Sequence, residues 1–520
     1  MALSRTRPSQ YKSSHYEVKR SLIRSRDRQR QRAERLQQQV EVLEAENQRL
    51  RQDLQQVAEE LEMVQTLQPF EDAVSPLDSL ATRLSEFHIA GHHYSATMIA
   101  LCINLGRDVG FRQAETSLKA LVAALGLPIQ VPSHDVIRNW CSRLGVSELR
   151  NPFREDQDVL WMADHSSQIG KEKVLLIIGI ALEDLPQPGE TLALEAMHVL
   201  AIVPGKQWKK EDVGREYQKL AAKIGAPRYL LCDGATELQD PAKELEKNGK
   251  KTVVLTDLKH YAANVLEKLI GRSERFKTFL SEVGLTRNRV QQTELSVFVP
   301  PPLKVKSRFM NLAGLLRWAG MASYYLDQPQ SEIRAGISDE RMNEKLGWLR
   351  EYGEDLICWT ACQLLINAAL SFINHQGLFH GAADQLRQEL AQVMRYLPKG
   401  NEAVNFMRDA LVDFVTQAEQ KLETGQRVWL STEILESLFG QYKRLENQHS
   451  KGGFTSLLAA LPIFCCRVTP ALVQRRLQEV STTDLKEWVQ TTVGPTLTSR
   501  RTRAYREYDR AMAGQVSQAI

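Results

Sequence analysis

Residues 159–164 read VLWMAD, a short apolar run that closes on a carboxylate. Apolar residues in unbroken succession mark a strand buried on both faces of a sheet, and the acid falls where such a strand leaves the core. Asp164 is therefore expected at a strand end. Two more runs of this kind follow, residues 229–233 (YLLCD) and 252–257 (TVVLTD), so Asp233 and Asp257 reach the same end of what reads as one sheet. Ligands of open α/β sheets gather at the carboxyl ends of the strands, and convergent acids there suit a cation or a phosphate. Asp after a strand is also an ordinary turn former or helix N-cap, so the neighbouring elements have to decide.

Outward from that stretch, residues 173–182 and 193–203 read as two more strands, with loops short enough for antiparallel pairing. Helices over 211–224 and 237–248 then lead to the strands at 229–233 and 253–257. Three consecutive strands and two alternating with helices predict a mixed five-stranded sheet covered by helices, in the order of the ribonuclease H fold. Beyond residue 259 strand signals nearly vanish. Helices are expected at 260–270, 310–326, 340–352 and 355–373, with an extended stretch at 296–305 around Pro300, Pro301 and Pro302. These helices form either a separate domain or an insertion within the fold. The run VWLSTEILESLFGQYKRLENQHSKGG, residues 428–453, offers Ser431 or Thr432 as N-cap, and Leu435, Leu438, Phe439 and Tyr442 as a buried face. Glu433 and Glu436 lie in its first turns, where acids complement the helix dipole whether or not they have another role.

The chain has 520 residues, enough for two to four domains at about 100 to 200 residues each. No apolar run approaches the roughly 20 residues that a membrane helix requires, and no apolar core follows Arg5, Arg7 and Lys12. A soluble cytoplasmic protein with no membrane partner is expected. The seven cysteines form no CxxC pair, which predicts reduced, mostly buried thiols. The formal net charge of +4 says little, but its distribution is uneven. Basic residues crowd 19–35 (KRSLIRSRDRQRQRAER), and Arg500, Arg501, Arg503, Arg506 and Arg510 form a second cluster; both suit phosphate contact, as well as a solvated tail.

Residues 1–20 read as a disordered arm. Over 21–68, a basic region leads into a heptad seam of Leu36, Val40, Leu43, Asn47, Leu50, Leu54, Val57, Leu61 and Val64. Asn47 at an a position favours a parallel two-stranded register, and Glu46 at g faces Arg51 at e of the partner, so a coiled-coil homodimer is expected. Residues 78–150 read as a small helical domain. Within it, PSHDVIRNWCSRLG (132–145) has Ser133 as N-cap, Val136, Ile137, Trp140 and Leu144 buried, and Arg138, Asn139 and Arg143 outward. Two helices, a Gly-containing turn and a short basic helix match a helix-turn-helix DNA reader, with those three residues as its DNA contacts.

Taken together these residues resemble the DDE/D transposases of insertion sequences, in the branch related to Mutator and hAT elements. Asp164 in WMADHSS, Asp233 in LLCDGATEL and Glu436 in STEILESLFGQYK match that family's three acids, and Asp257 and His260 in TDLKHYAANVL match its C/DxxH signature. The resemblance covers about residues 155–470; the upstream heptad seam is not a usual part of the branch. It implies a ribonuclease H-like catalytic core split into 155–270 and 429–475 by a helical insertion over 271–428; the arginine cluster, read from charge alone, makes 476–520 a basic C-terminal tail. It implies two Mg²⁺ (or Mn²⁺) ions, with Asp164 bridging them and Asp233 and Glu436 each completing one site, and His260 near a phosphate or scissile oxygen. The implied activity is cleavage and strand transfer of double-stranded DNA, transposon ends and target, in a bacterial cytoplasm or nucleoid. Hard carboxylate donors suit Mg²⁺, and a pair of ions suits in-line phosphoryl displacement. Two alternatives share the scaffold: a DNA-binding regulator without catalysis, and a structure-specific nuclease that cuts without joining.

Overall fold

The computed structural model describes residues 76–150, 152–167, 173–302, 309–448, 456–495 and 497–518. The arm, basic region and heptad helix expected over 1–68 lie outside the described residues.

Five strands form the central sheet: β1 Val159–Ser167, β2 Lys173–Ala181, β3 His198–Gly205, β4 Tyr229–Cys232 and β5 Val253–Thr256. Their order is β3-β2-β1-β4-β5, antiparallel from β3 to β1 and parallel from β1 to β5, as the strand pattern predicts for the ribonuclease H order. The first crossover is helix α5, Lys210–Ile224. The second is shorter than expected. Helix α6 covers only Thr236–Ala242, with Pro241 inside it; Lys243, Glu244 and Leu245 then donate to the carbonyls three residues back, and a small hairpin of Glu246–Lys247 with Lys250–Lys251 completes the path.

Period-two alternation divides the sheet between two cores. Val159, Trp161, Ala163, Leu230 and Cys232 pack against Val213, Tyr217 and Leu220 of α5. Leu160, Met162, Tyr229, Leu231 and Leu255 face the larger helical core on the other side. Asp164, Asp233 and Asp257 share the parity of the second set, so the register of the strands directs all three to the helical face.

Helix α7, Leu258–Leu266, follows β5 at once, and the chain then leaves the sheet. Among the described residues from Glu274 to Glu419 every regular element is helical: α8 Glu274–Val290, α9 Leu312–Leu326, α10 Asp339–Leu346, α11 Gly353–Gln376, α12 Ala382–Met394 and α13 Glu402–Glu419, with short 3-10 turns between them. The stretch expected to be extended at 296–305 opens instead on a 3-10 turn, Ser296–Phe298, whose Phe298 is buried. The helices rest on α7, where Tyr261 stacks on Phe414 of α13 with ring centroids 4.1 Å apart. Asp339–Gln376 has the length and apolar content of a membrane span, which amends the sequence expectation; half of its apolar window is buried. The chain comes back at Val428, bridged to Leu378, and Leu430 accepts a hydrogen bond from Leu258 N–H before helix α14, Glu433–Asn447, begins. The helical segment is thus an insertion between α7 and α14, not a separate domain.

Helices α1 Pro76–Ser85, α2 Ala96–Val109, α3 Phe111–Leu125 and α4 His134–Glu148 precede the sheet. They do not stand apart. Beyond Trp140, α4 is nearly enclosed, covered by the apolar 3-10 stretch Ser456–Cys465 and by α15, Pro470–Glu479, and α16, Thr482–Trp488. A β-carbon on Gly145 would lie 1.9 Å from the carbonyl oxygen of Ala459, so only glycine permits this approach. The boundary expected at residue 475 therefore falls inside packed structure, and 476–488 is helix against α4 rather than tail. Helix α17, Leu497–Gln518, carries the C-terminal arginines.

Candidate carboxylate site

The parallel register places the acids. Ala163 of β1 is level with Cys232 of β4, and Cys232 with Thr256 of β5, so the next residue of each strand is Asp164, Asp233 or Asp257 in a row. Neighbouring strands lie about 5 Å apart, which sets the backbone spacing of the row. Asp164 does not end its strand as expected. The parallel pairing to β4 stops at Ala163, but β1 continues against β2 as far as Ser167 opposite Lys173. Asp164 sits where β1 loses one neighbour and keeps the other.

Asp164 accepts a hydrogen bond from His165 N–H at 2.6 Å. Burial first, and the Asp233 carboxylate second, push its carboxyl up to about 7; His260 pulls the other way and Glu436 adds to the rise. Asp233 is held by the turn after β4: its Oδ1 accepts from Ala235 N–H at 2.9 Å, and Gly234, with φ of +96°, takes a conformation that side-chain-bearing residues rarely adopt.

Asp257 has a different task. It is fully buried, its Oδ1 accepting from His260 N–H at 2.7 Å and pairing with His260 Nδ1 at 2.9 Å, its Oδ2 accepting from Thr432 N–H at 2.5 Å and Thr432 Oγ1 at 2.9 Å. Burial alone would raise this carboxyl, but the bonds from His260 and Thr432 outweigh it and leave Asp257 below the ordinary carboxylate range. His260 answers in kind: burial pulls it down, the Asp257 hydrogen bond and charge more than restore it, and Asp233 and Asp164 add to the rise. Asp257 thus caps α7, orients His260 and fastens the returning chain just before α14.

That fastening delivers Glu436. Glu433 and Glu436 share one face of α14, and Lys259 of α7 bridges them, its Nζ 3.0 Å from Glu433 Oε1 and 2.9 Å from Glu436 Oε2. Glu433 also accepts from Asn374 Nδ2 at 2.6 Å. The expected N-cap at Thr432 has no side-chain cap bond, since its hydroxyl goes to Asp257. Lys259, which no sequence motif singles out, and Thr432, expected only as a cap, both belong to the site. Both stand inside the quoted motifs, Lys259 between Asp257 and His260 and Thr432 just before Glu433, but nothing local marks either as a partner of an element far along the chain.

The structure therefore brings Asp233, His260 and Glu436 within electrostatic reach of Asp164. Among the described residues no three His, Cys, Asp or Glu side chains close on a single point as a metal-holding set. The donor chemistry of Asp164 and Asp233 nevertheless fits a hard divalent cation: oxygen donors only, and a carboxyl raised by burial and a like-charged neighbour, the condition that a cation relieves. Glu436 is engaged by Lys259.

The DNA-contact residues fare differently. Arg138 is exposed and pairs with Asp135 at 2.9 Å. Asn139 is half-buried beside Thr482, whose hydroxyl lies 3.5 Å from Asn139 Oδ1. Arg143 is buried, 9% exposed, its Nε and Nη2 donating to the carbonyls of Val480 and Leu477 at 2.8 and 2.7 Å. This corrects its outward assignment. Arg143 lies off the apolar face of Val136, Ile137, Trp140 and Leu144, and the helices that cover it lie more than 300 residues away in the chain. Helix α4 leaves only its first turns exposed, not a whole face for a DNA groove.

No protein-family model matches the chain, and no curated protein matches it. Among solved structures, it is similar to the Drosophila P element transposase strand transfer complex, at 14% identity and a TM-score of 0.37, over 82% of this chain and 99% of that one.

Proposed function

We propose that the chain is a DDE-type DNA transposase that cleaves DNA phosphodiesters and joins the resulting ends to target DNA. The observation that carries this reading is the register of β1 and β4, which sets Asp164 and Asp233 side by side on the face toward which the insertion returns α14 and Glu436. Asp164, Asp233 and Glu436 would hold two Mg²⁺ or Mn²⁺ ions, which supply the positive charge that favours an attacking oxygen and a departing one. The chain's own residues prepare the setting. The sheet fixes the two aspartates, the Asp257–Thr432 bonds fix the start of α14, and Asp257 holds His260 by Nδ1, within reach of the charges of Asp164 and Asp233. In cleavage, a water oxygen forms a bond to phosphorus as the P–O3′ bond breaks and the 3′ oxygen takes a proton. In joining, that 3′ hydroxyl attacks a target phosphodiester, losing its proton as the target's own 3′ oxygen leaves. Two copies would pair through the heptad helix, and the substrate would be double-stranded DNA.

Joining is the property that separates this reading from its alternatives. Purified protein, Mn²⁺ and a pre-cut duplex carrying the element's terminal repeats should convert a supercoiled plasmid into products with the duplex covalently attached. Cutting without attachment would indicate a nuclease, and binding with neither would indicate a regulator.

A further inference from the structure

Helix α17, Leu497–Gln518, stands free of the fold: every described side chain from Arg500 to Met512 is exposed. It carries five arginines and two acids, Glu507 and Asp509. The arginines are not scattered. Arg500, Arg503, Arg506 and Arg510 recur at intervals of three and four and so lie on one face, whereas Tyr505, Tyr508 and Met512 recur in the same way on the opposite face. Tyr505 and Tyr508 are 71% and 62% exposed. Arg500 donates to the Pro495 carbonyl at 3.0 Å and Arg503 to Glu507 at 2.8 Å, ties local to this segment.

Helices in folded proteins draw most of their stability from packing of one face, and α17 has no such packing over these residues. A stripe of guanidinium groups along about 15 Å of helix calls for a partner with regularly spaced negative charge. Guanidinium also bonds phosphate with two parallel N–H groups, which ammonium does not. We propose that the arginine face of α17 binds the phosphate backbone of double-stranded DNA, without reading its sequence. This gives the chain a DNA surface outside α4, whose Arg143 is committed to the protein interior. The inference rests on the nucleic-acid reading above, and the two fail separately, because binding is measured without divalent metal and without cleavage.

The test uses the full-length chain and its R500Q/R503Q/R506Q/R510Q variant, with a fluorescent duplex of about 30 bp and arbitrary sequence, in EDTA. Each phosphate contact contributes about 0.9 to the slope of log affinity against log salt, so the variant's slope should fall by roughly three to four. A second duplex of unrelated sequence should give the same change, and Y505A/Y508A should leave the slope as in the parent. An unchanged slope in the arginine variant overturns the proposal. So does a variant that alters only the mass in light scattering, which would make α17 a contact between copies, and so does parent protein that binds anionic phospholipid vesicles but not the duplex.

Discussion

His260 and Asp257 stabilise each other, and the two directions of shift fix the pH window. His260 is raised above 6.5, so its contribution is complete below about 6.5 and is lost as pH climbs through the folded value. Asp257 is lowered from 3.8, so its contribution is complete above about 3.8 and is lost as pH falls through its folded value. His260→Gln should therefore be less stable than the parent near pH 6, and the gap in urea midpoint should narrow by about pH 9. A gap of constant size would mean that the pair is not ionic. Lys259 acts on the neighbouring acids. With Glu433 and Glu436 each 37% exposed, such ion pairs are worth about 0.5–1 kcal/mol, so Lys259→Met should lower the Mn²⁺ needed for half-maximal cleavage by roughly two- to five-fold. An equal or higher requirement would show that Lys259 orders Glu436 instead of competing for it.

Among the elements, β1, β4 and α3 were legible because their signal is local. An apolar run needs no knowledge of its partner to read as a buried strand, and α3, Phe111–Leu125, is likewise set by local residues, since Gly110 and Gly126 stop the chain at each end. Asp164 and Asp233 were legible for the same reason. Helix α4 was misread because its burial comes from outside the local sequence: Ala459 against Gly145, and Val480 and Leu477 on Arg143. The Lys259 bridge was also invisible, since it joins two helices separated by the whole insertion. Arg143→Ala tests the corrected role. It strands two buried carbonyls and should destabilise the fold by about 1–3 kcal/mol for each in chemical denaturation. The salt slope for DNA should stay at the parent value; a fall of about one would restore Arg143 as a phosphate contact.

At the scale of the whole molecule, one sheet edge collects acids from strands adjacent in space, and a long insertion brings back the helix that carries the last of them. The heptad helix adds an expectation of its own: removal of residues 36–64 should halve the mass seen in light scattering, and an unchanged mass would refute the coiled-coil dimer. In the proposed function Asp164, Asp233 and Glu436 form one metal-dependent site. It is tested most directly by Mn²⁺-dependent cleavage of a terminal-repeat duplex by purified Asp164→Asn, Asp233→Asn and Glu436→Gln, with Glu433→Gln as the control one turn away and circular dichroism to confirm folding. The first three variants should fold, bind DNA and fail to cut, while Glu433→Gln should cut like the parent; cleavage by any of the three at the parent rate would contradict a single site.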